Sequence, residues 1–242
     1  MRRRKTTAFF AALAAAVGIS ATAHAVPIVQ ISAQGSANAQ AAEHTLLSSL
    51  AGYSTETFES FAAAPGLQSA SYATSVGTFT RTVAGVGGAC DNNGYSCGGG
   101  LAVLNDSVTP FAGRHAAPAG AGNNNWLDSM DAEVMTFTPN AGTNVMGFYL
   151  TDVNDAGGRL SIGGIDFLLD NVLGSMFANG SAFYVQLFDA SGLGAISFYS
   201  NSRADGYGID NVTVAHVPEP DNFVLFGMGL LALGLTRAIR AR

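Results

Sequence analysis

The sequence has no lysine between Val26 and Val217, and only four arginines lie in that span. Fifteen Asp and Glu residues accompany them, which leaves an excess of eleven negative charges. Nucleic-acid binding depends on clustered cations that neutralise phosphates, so this composition argues against a nucleic-acid partner. The acidic span favours solubility and the attraction of cations instead.

Cysteine is equally scarce, since Cys90 and Cys97 are the only two in the 242 residues. Two thiols cannot complete a tetrahedral zinc site, and no histidine is close to them in sequence. In an exported chain such a pair is typical of one disulfide that closes a small loop. The sequence therefore predicts a Cys90–Cys97 disulfide.

Recognisable catalytic motifs are missing as well. The chain contains no Gly-x-Ser-x-Gly elbow, and its few histidines do not form a motif with the spacing of metal ligands. We therefore predict a protein that is not an enzyme. A secreted hydrolase that acts on glycans with a carboxylate pair is the alternative, because such pairs form through space and leave no spacing in the sequence.

Residues 1–25 have the three-part layout of a secretory signal peptide. A basic start at residues 1–5 precedes an apolar stretch at 8–19, and small residues end at Ala25. A buried N-terminal helix would leave the four adjacent cations unexplained. We expect signal peptidase to cut after Ala25, so that the exported chain begins at Val26.

Residues 217–242 have a second three-part layout. The motif Val217-Pro218-Glu219-Pro220 precedes an apolar segment at 223–235 and a tail with three arginines. The prolines prevent a helix from continuing back into the domain, and the tail would stay cytoplasmic under the positive-inside rule. We predict a transmembrane helix over residues 223–236, short enough to suit a transient anchor better than a permanent one.

This order of Pro-Glu-Pro motif, Gly- and Leu-rich helix and terminal arginines resembles the PEP-CTERM sorting domain of Gram-negative bacteria. The resemblance covers about the last 26 residues. The basic tail departs from the family, because Ala238, Ile239 and Ala241 separate the arginines. The resemblance implies cleavage near the motif by an exosortase-type enzyme, passage through the inner membrane, and release or attachment at the outer surface. An ordinary tail anchor is the alternative.

Residues 26–216 are expected to form one all-β domain. Gly, Ala, Ser, Thr and Asn dominate, which disfavours a helical bundle. Short segments rich in β-branched and aromatic residues alternate with turn residues, which predicts an antiparallel β-sandwich or jelly roll. One short helix is predicted at 41–50. The predicted strands are 28–32, 55–61, 77–83, 101–104, 133–138, 145–151, 159–165, 183–188, 195–200 and 209–214.

Alternation along these strands predicts which side chains line the core. It also places Asp210 on the face of Val212 and Val214, and it turns either Glu56 or Glu59 inwards. A buried carboxylate must be paired, hydrogen-bonded or bound to a metal. The predicted core residues are Met146, Phe148, Leu150, Phe183, Val185, Leu187, Ile196 and Phe198.

Segments 55–61 and 205–214 resemble parts of carbohydrate-binding jelly rolls, in which an early glutamate and a late aspartate hold a structural calcium ion. The resemblance implies Glu56 or Glu59, together with Asp210, as calcium ligands beside backbone carbonyls. The alternative, with equal weight, is that these acids accept backbone N–H bonds at strand ends.

A second acidic group follows the strand at 145–151. Asp152, Asn154 and Asp155 are interpreted as turn caps, with an ion site as the alternative. Segment 147–152, together with 205–211, also resembles a β-sandwich module of PEP-CTERM proteins without an assigned activity. This second resemblance implies a fold and no activity.

Two predicted loops, 86–100 and 112–125, are long, polar and rich in glycine, and they are expected to hold the mobile or binding surfaces. Trp126, the only tryptophan, directly follows three asparagines. An exposed ring there could stack on a sugar, whereas a core position is the alternative. We thus expect a structural, adhesive or carbohydrate-binding protein of the cell surface or the extracellular polysaccharide.

Overall fold

The computed structural model describes residues 26–88, 90, 94, 96–120, 122, 124–152, 159–168, 179–200 and 202–218. Two antiparallel sheets in this part of the chain face each other, as the sequence predicts. The strands are β1 Ile28–Ile31, β2 Ser54–Glu56, β3 Ser71–Ala73, β4 Gly77–Val83, β5 Ala102–Asn105, β6 Asn125–Asp128, β7 Val134–Pro139, β8 Val145–Thr151, β9 Arg159–Ile162, β10 Ile165–Leu168, β11 Ala182–Phe188, β12 Ile196–Tyr199 and β13 Gly208–Ala215. The seven-stranded sheet has the order β1-β11-β8-β13-β6-β5, and β2 also pairs with β13. The six-stranded sheet has the order β10-β9-β12-β7-β4-β3.

The main hydrophobic core lies between the two sheets. Phe79 and Phe137 stack across neighbouring strands with ring centroids 4.3 Å apart, and Phe148 meets Phe198 edge to face at 5.5 Å. Burial of large apolar side chains of this kind is the dominant favourable term in folding. All eight predicted core residues belong to this core, which confirms the alternation read along their strands.

The outer face of the seven-stranded sheet is covered too. The helix α1, Ser36–Ser49, packs on β8 and β11, where Leu46 contacts a cluster that contains Tyr149 and Tyr184. The predicted helix at 41–50 therefore exists but begins five residues earlier. A second cluster, which includes the disulfide, covers the outer face of β5 and β6. Because both faces are covered, every residue of β8 is buried.

Two predicted strands differ in the structure. The strand expected at 55–61 ends at Glu56, and Phe58 has a left-handed φ of 60°. The strand expected at 159–165 is a hairpin, in which Gly163 and Gly164 form the turn between β9 and β10 with φ of 57° and 82°. Glycine reaches such angles without a Cβ clash, so this pair allows the chain to reverse.

A β-bulge in β13 reverses the predicted side of Asp210. The register against β8 shifts by one residue between Asp210 and Thr213, and Asn211 has a φ of 44°. An extra residue of this kind flips the side-chain alternation. Ile209 and Val212 point into the core, whereas Asp210 lies on the opposite face beside Tyr149. The prediction that Asp210 shares a face with Val212 and Val214 is therefore wrong.

Several predicted features lie outside the described residues. These are the signal peptide at 1–25, residues Asn154 and Asp155, and the sorting segment beyond Pro218 with its predicted transmembrane helix. Within the described ranges, no helix is both long and apolar enough to span a membrane.

Candidate functional site

Glu56 connects the two sheets. Its Oε1 atom accepts the backbone N–H of Phe58 at 2.9 Å, while Oε2 accepts the N–H of Ser75 at 3.1 Å and the Ser75 hydroxyl at 3.0 Å. Ser75 lies in the turn between β3 and β4 of the opposite sheet. The carboxylate is mostly buried and thus satisfies polar groups that would otherwise lack partners.

Glu59 serves a different backbone segment. Its Oε1 atom accepts the N–H groups of Asn124 and Asn125 at 2.6 and 2.7 Å, at the start of β6. The Asn125 side chain returns two bonds, to the carbonyls of Phe58 at 3.2 Å and Phe61 at 3.1 Å. These reciprocal bonds join the chain after β2 to β6.

Asp210 binds backbone on the outer face of the seven-stranded sheet. Oδ2 accepts the N–H of Ala117 at 2.9 Å, and Oδ1 accepts the N–H of Asn211 at 2.7 Å. Glu56, Glu59 and Asp210 therefore each bond a separate segment, and among the described residues no three His, Cys, Asp or Glu side chains converge as metal ligands. These contacts match the alternative of backbone N–H acceptors, and calcium binding by Asp210 with Glu56 or Glu59 stays a prediction.

Trp126 lies in β6 and its side chain is fully buried. Its Nε1 atom donates to Asp128 Oδ2 at 3.1 Å. The ring packs in the cluster that contains Cys90 and Cys97, whose Cα atoms are 5.5 Å apart in the predicted disulfide. The interpretation of Trp126 as an exposed indole that stacks on a sugar is therefore wrong, and the alternative of a core position is confirmed.

The most concentrated set of charges surrounds Arg114, whose side chain is fully buried. Nη1 donates to Asp128 Oδ1 at 2.8 Å and to the Met130 carbonyl at 3.2 Å. Nη2 donates to Asp205, and Nε is 3.8 Å from Asp152 Oδ2. The guanidinium also lies 4.2 Å from the centroid of the Phe111 ring. Four loops at one end of the sandwich thus meet at a single cation, and we call this set the Arg114 cluster.

Burial and charge act in opposite directions on the Arg114 cluster. Burial alone lowers the pKa of Arg114, but Asp128, Asp205 and Asp152 raise it, and the net direction is upwards. Burial raises the pKa of Asp128, and Arg114, the Trp126 indole N–H and the Met130 N–H offset this only in part. The guanidinium therefore stays charged at any pH at which the protein is folded.

Local backbone geometry allows the loops of the Arg114 cluster to approach one another. Met130 and Asp152 have left-handed φ angles of 57° and 62°. A Cβ atom on Gly206 would lie 2.2 Å from the Met130 carbonyl oxygen, so only glycine lets the Asp205 loop approach. Sequence reasoning missed this cluster because its members are distant along the chain. The only signal was that Arg114 is one of four arginines among many acids.

A polar pocket of about 300 Å³ opens beside the disulfide. Its walls include Arg81, Asp131 and the backbone of residues 85–87 and 96–98. Arg81 donates from Nη1 to the Cys97 carbonyl at 2.9 Å and from Nη2 to the Gly98 carbonyl at 3.0 Å, while Asp131 accepts the Gly87 N–H. The pocket thus combines an oriented cation, a carboxylate and glycine backbone, a combination that suits a ligand with many hydroxyl groups.

No family model matches the chain, and no curated protein is similar to it in sequence. Among solved structures, the chain is similar to a crystal structure of the K2 cleaved adhesin domain of Lys-gingipain (Kgp). The two are 16% identical, the match covers 68% of this chain and 98% of that domain, and the TM-score is 0.36. A likeness at this level carries no argument about activity.

An apolar groove of about 350 Å³ lies between the end of α1 and the seven-stranded sheet, next to the edge strand β1. Its lining includes Ile28, Leu46, Leu50, Phe188 and Val217, and no charged side chain. The polar pocket suits a hydrophilic ligand, whereas the groove suits apolar side chains. The Arg114 cluster is buried and serves to hold loops together.

Proposed function

We propose that this chain is an exported protein of the cell surface or extracellular matrix, with a structural, adhesive or carbohydrate-binding role. The observation that carries the proposal is the position of the sandwich between the two predicted signals. The first strand begins at Ile28, just after the expected cleavage at Ala25, and the last ends at Ala215, just before Val217. Both signals therefore lie beyond the strands and can be removed without the loss of one.

The processing part of the proposal involves signal peptidase, the inner membrane and an exosortase-type enzyme as successive partners. We expect the full chain, expressed in a Gram-negative host with that enzyme, to have Val26 as its first residue and a C terminus near Pro218-Glu219-Pro220. Without the enzyme the chain should keep Arg242 and stay with the membrane. Mass spectrometry of both termini measures this, and recovery of uncut chain from the cytosol would refute it.

Alanine substitutions separate the sorting motif from its surroundings. Replacement of Pro218, Glu219 and Pro220 together should leave the C-terminal segment in place. The matched control is Asp221→Ala, one residue beyond the motif, which should be processed like the original chain. Equal processing of both variants would mean that the motif is not what the enzyme recognises.

The binding part of the proposal concerns the polar pocket. Arg81 is held with its guanidinium in the wall of the pocket, and extracellular polysaccharide is the expected ligand. Arg81→Gln should weaken binding to an immobilised polysaccharide by at least about tenfold, because a hydrogen bond to a charged group contributes ~1.5–3 kcal/mol. Arg159→Gln is the matched control, because the Arg159 side chain is 40% exposed and belongs to β9 of the same sheet.

The same assay separates binding from hydrolysis. Retention of polysaccharide without product would support the adhesive role, whereas release of reducing ends would favour the glycan hydrolase. We do not propose hydrolysis, because Asp128, Asp152 and Asp205 surround a buried arginine and, among the described residues, do not face a pocket for a glycan. An unchanged affinity of Arg81→Gln would remove the polar pocket as the binding site.

A further inference from the structure

The apolar groove lies where the chain leaves the sandwich for its C-terminal segment. Val217 forms part of the lining and is 37% exposed. Its backbone is held in place by Asn144, whose Nδ2 atom donates to the Val217 carbonyl at 2.7 Å and whose Oδ1 atom accepts the Val217 N–H at 2.8 Å. These two hydrogen bonds therefore fix the position at which the chain leaves the domain, at the rim of the groove.

Only five residues, 218–222, separate Val217 from the apolar segment at 223–235. Six Cα–Cα steps reach at most ~20 Å, so Phe223 cannot move far from the groove. A tether of this length gives an effective concentration in the millimolar range. Even a weak apolar contact would thus be populated whenever the segment is in water.

Charge and shape select among possible occupants. The domain has an excess of eleven negative charges, which disfavours a second copy and an anionic lipid surface. Residues 223–236 have no charged side chain and begin with Phe223-Val224-Leu225-Phe226. A volume of about 350 Å³ lies at the small end of ligand pockets, so the groove can take a few side chains and not a whole helix.

We propose that the groove is an intramolecular docking site for the start of the apolar C-terminal segment, residues 223–226, while that segment is outside a bilayer. The contact shields these side chains from water in the exported chain. Membrane insertion or removal of the segment empties the groove and exposes Ile28, Leu50 and Val217. The inference deepens the proposed function, because it adds a state of the chain that precedes sorting.

A disulfide trap tests the docking. Ser49→Cys, at the rim of the groove, is combined with Asn222→Cys at the end of the tether, in the full chain purified into water that is free of lipid and detergent. We expect the linked peptides in at least about tenfold excess over a control pair, Ser107→Cys with Asn222→Cys. Ser107 is exposed like Ser49, but follows β5 at the far edge of the sheet. Mass spectrometry quantifies both links.

A groove substitution provides the second comparison. Leu50→Asp should reduce the Ser49 link to the level of the control pair, whereas Leu67→Asp, at an exposed site away from the groove, should leave it unchanged. If Leu50→Asp unfolds the protein, Ile28→Asp at another rim position replaces it. Equal yields of the Ser49 and Ser107 links would overturn the docking. A yield of the Ser49 link that the rim substitution does not change would overturn it as well.

The trap does not depend on cleavage by the sorting enzyme. If export fails, the proposed function fails, but the trap is unaffected because the cysteine pairs are oxidised in the purified full chain. A Ser49 link in that sample would support the docking without the sorting route. Normal processing of a chain that forms no such link would support the sorting route without the docking.

Discussion

At the scale of single residues, Arg114 is the side chain whose replacement we expect to reduce the free energy of unfolding most. Replacement by methionine would leave Asp128 buried without its cation, with Asp152 and Asp205 beside it. Removal of one partner of a buried ion pair costs about 3–5 kcal/mol of the free energy of unfolding. We expect a loss of that size for Arg114→Met in chemical denaturation.

The matched control for Arg114 is Arg203, whose Nε atom lies 2.6 Å from Glu133 Oε2 with 59% of the side chain exposed. Exposed pairs contribute about 0–1 kcal/mol, so Arg203→Met should change the stability little. The double variant Arg114→Met/Asp128→Leu should recover part of the loss, because the uncompensated charge is gone. Equal losses for the two arginines would contradict the structural role of the Arg114 cluster.

Tyr207 gives a second prediction for a single residue. Its hydroxyl is buried and has no hydrogen-bond partner among the described residues. Burial raises the pKa of Tyr207, and Asp128 raises it further. A phenol with a raised folded-state pKa stabilises the fold fully below the unfolded pKa of ~10, and this contribution is lost as the pH rises above that value.

Tyr207→Phe should therefore be at least as stable as the original chain at pH 7 and should lose less stability between about pH 9 and 11. Thermal melts at several pH values measure this, with the half-exposed Tyr53→Phe as the control. A variant whose stability falls with pH as steeply as that of the original chain would show that the Tyr207 phenol does not titrate on unfolding.

The sequence predicts that certain side chains need hydrogen-bond partners, but it does not predict which residues those partners are. That Glu56, Glu59 and Asp210 need hydrogen-bond donors follows from their places beside apolar strand residues. The donors themselves, Ser75, Asn124 and Ala117, are distant along the chain and become neighbours only when the sheets form. The Arg114 cluster is hidden for the same reason.

At the scale of elements, the bulge in β13 decides the side on which Asp210 lies. Asn211 tolerates its φ of 44° because a short polar side chain can enter the left-handed region, whereas a β-branched residue cannot without strain. We expect Asn211→Val to reduce the free energy of unfolding by about 1–3 kcal/mol. Equilibrium denaturation measures this loss.

Asn211→Gly is the matched control, because glycine keeps the left-handed conformation. It loses only the contact from Asn211 Nδ2 to Glu43 Oε1 at 3.4 Å, which is long for a hydrogen bond. The glycine variant should therefore be clearly more stable than the valine variant. Two variants of equal stability would mean that the bulge does not constrain this position.

Elements with strict alternation are predictable from the sequence, whereas strands that begin in a polar segment or meet at a glycine turn are not. The sequence predicts β8, β11 and β12 because their apolar residues recur at every second position. It predicts a polar loop up to residue 125, because three asparagines precede Trp126, and the structure has β6 there. It predicts one strand across Gly163 and Gly164, where the structure has the β9–β10 hairpin.

At the scale of the whole molecule, the seven-stranded sheet is the central layer. One of its faces forms the main core with the six-stranded sheet, and the other is covered by α1 and by the loops that contain the disulfide. The two concave regions lie beside different parts of this arrangement, the polar pocket near the disulfide and the apolar groove near both ends of the domain. The proposed ligand binding and the proposed C-terminal docking are therefore separable by mutation.

The excess of eleven negative charges between Val26 and Val217 makes the stability of the whole domain depend on salt. Like charges repel in the compact state, and the Debye length falls from ~30 Å at 0.01 M salt to ~8 Å at 0.15 M. We expect the melting temperature of the exported chain to rise over this range of sodium chloride. A melting temperature that does not change with the salt concentration would contradict this expectation.

Calcium chloride at the same ionic strength separates screening from specific binding. Glu56, Glu59 and Asp210 already accept backbone N–H bonds, so we expect calcium to raise the melting temperature no more than magnesium does, and a chelator to leave it unchanged. Both ions screen charge alike, whereas a structural site would select calcium by its larger coordination number. A calcium-specific rise that the chelator reverses would contradict this, because the carboxylates would then have to exchange their backbone donors for an ion.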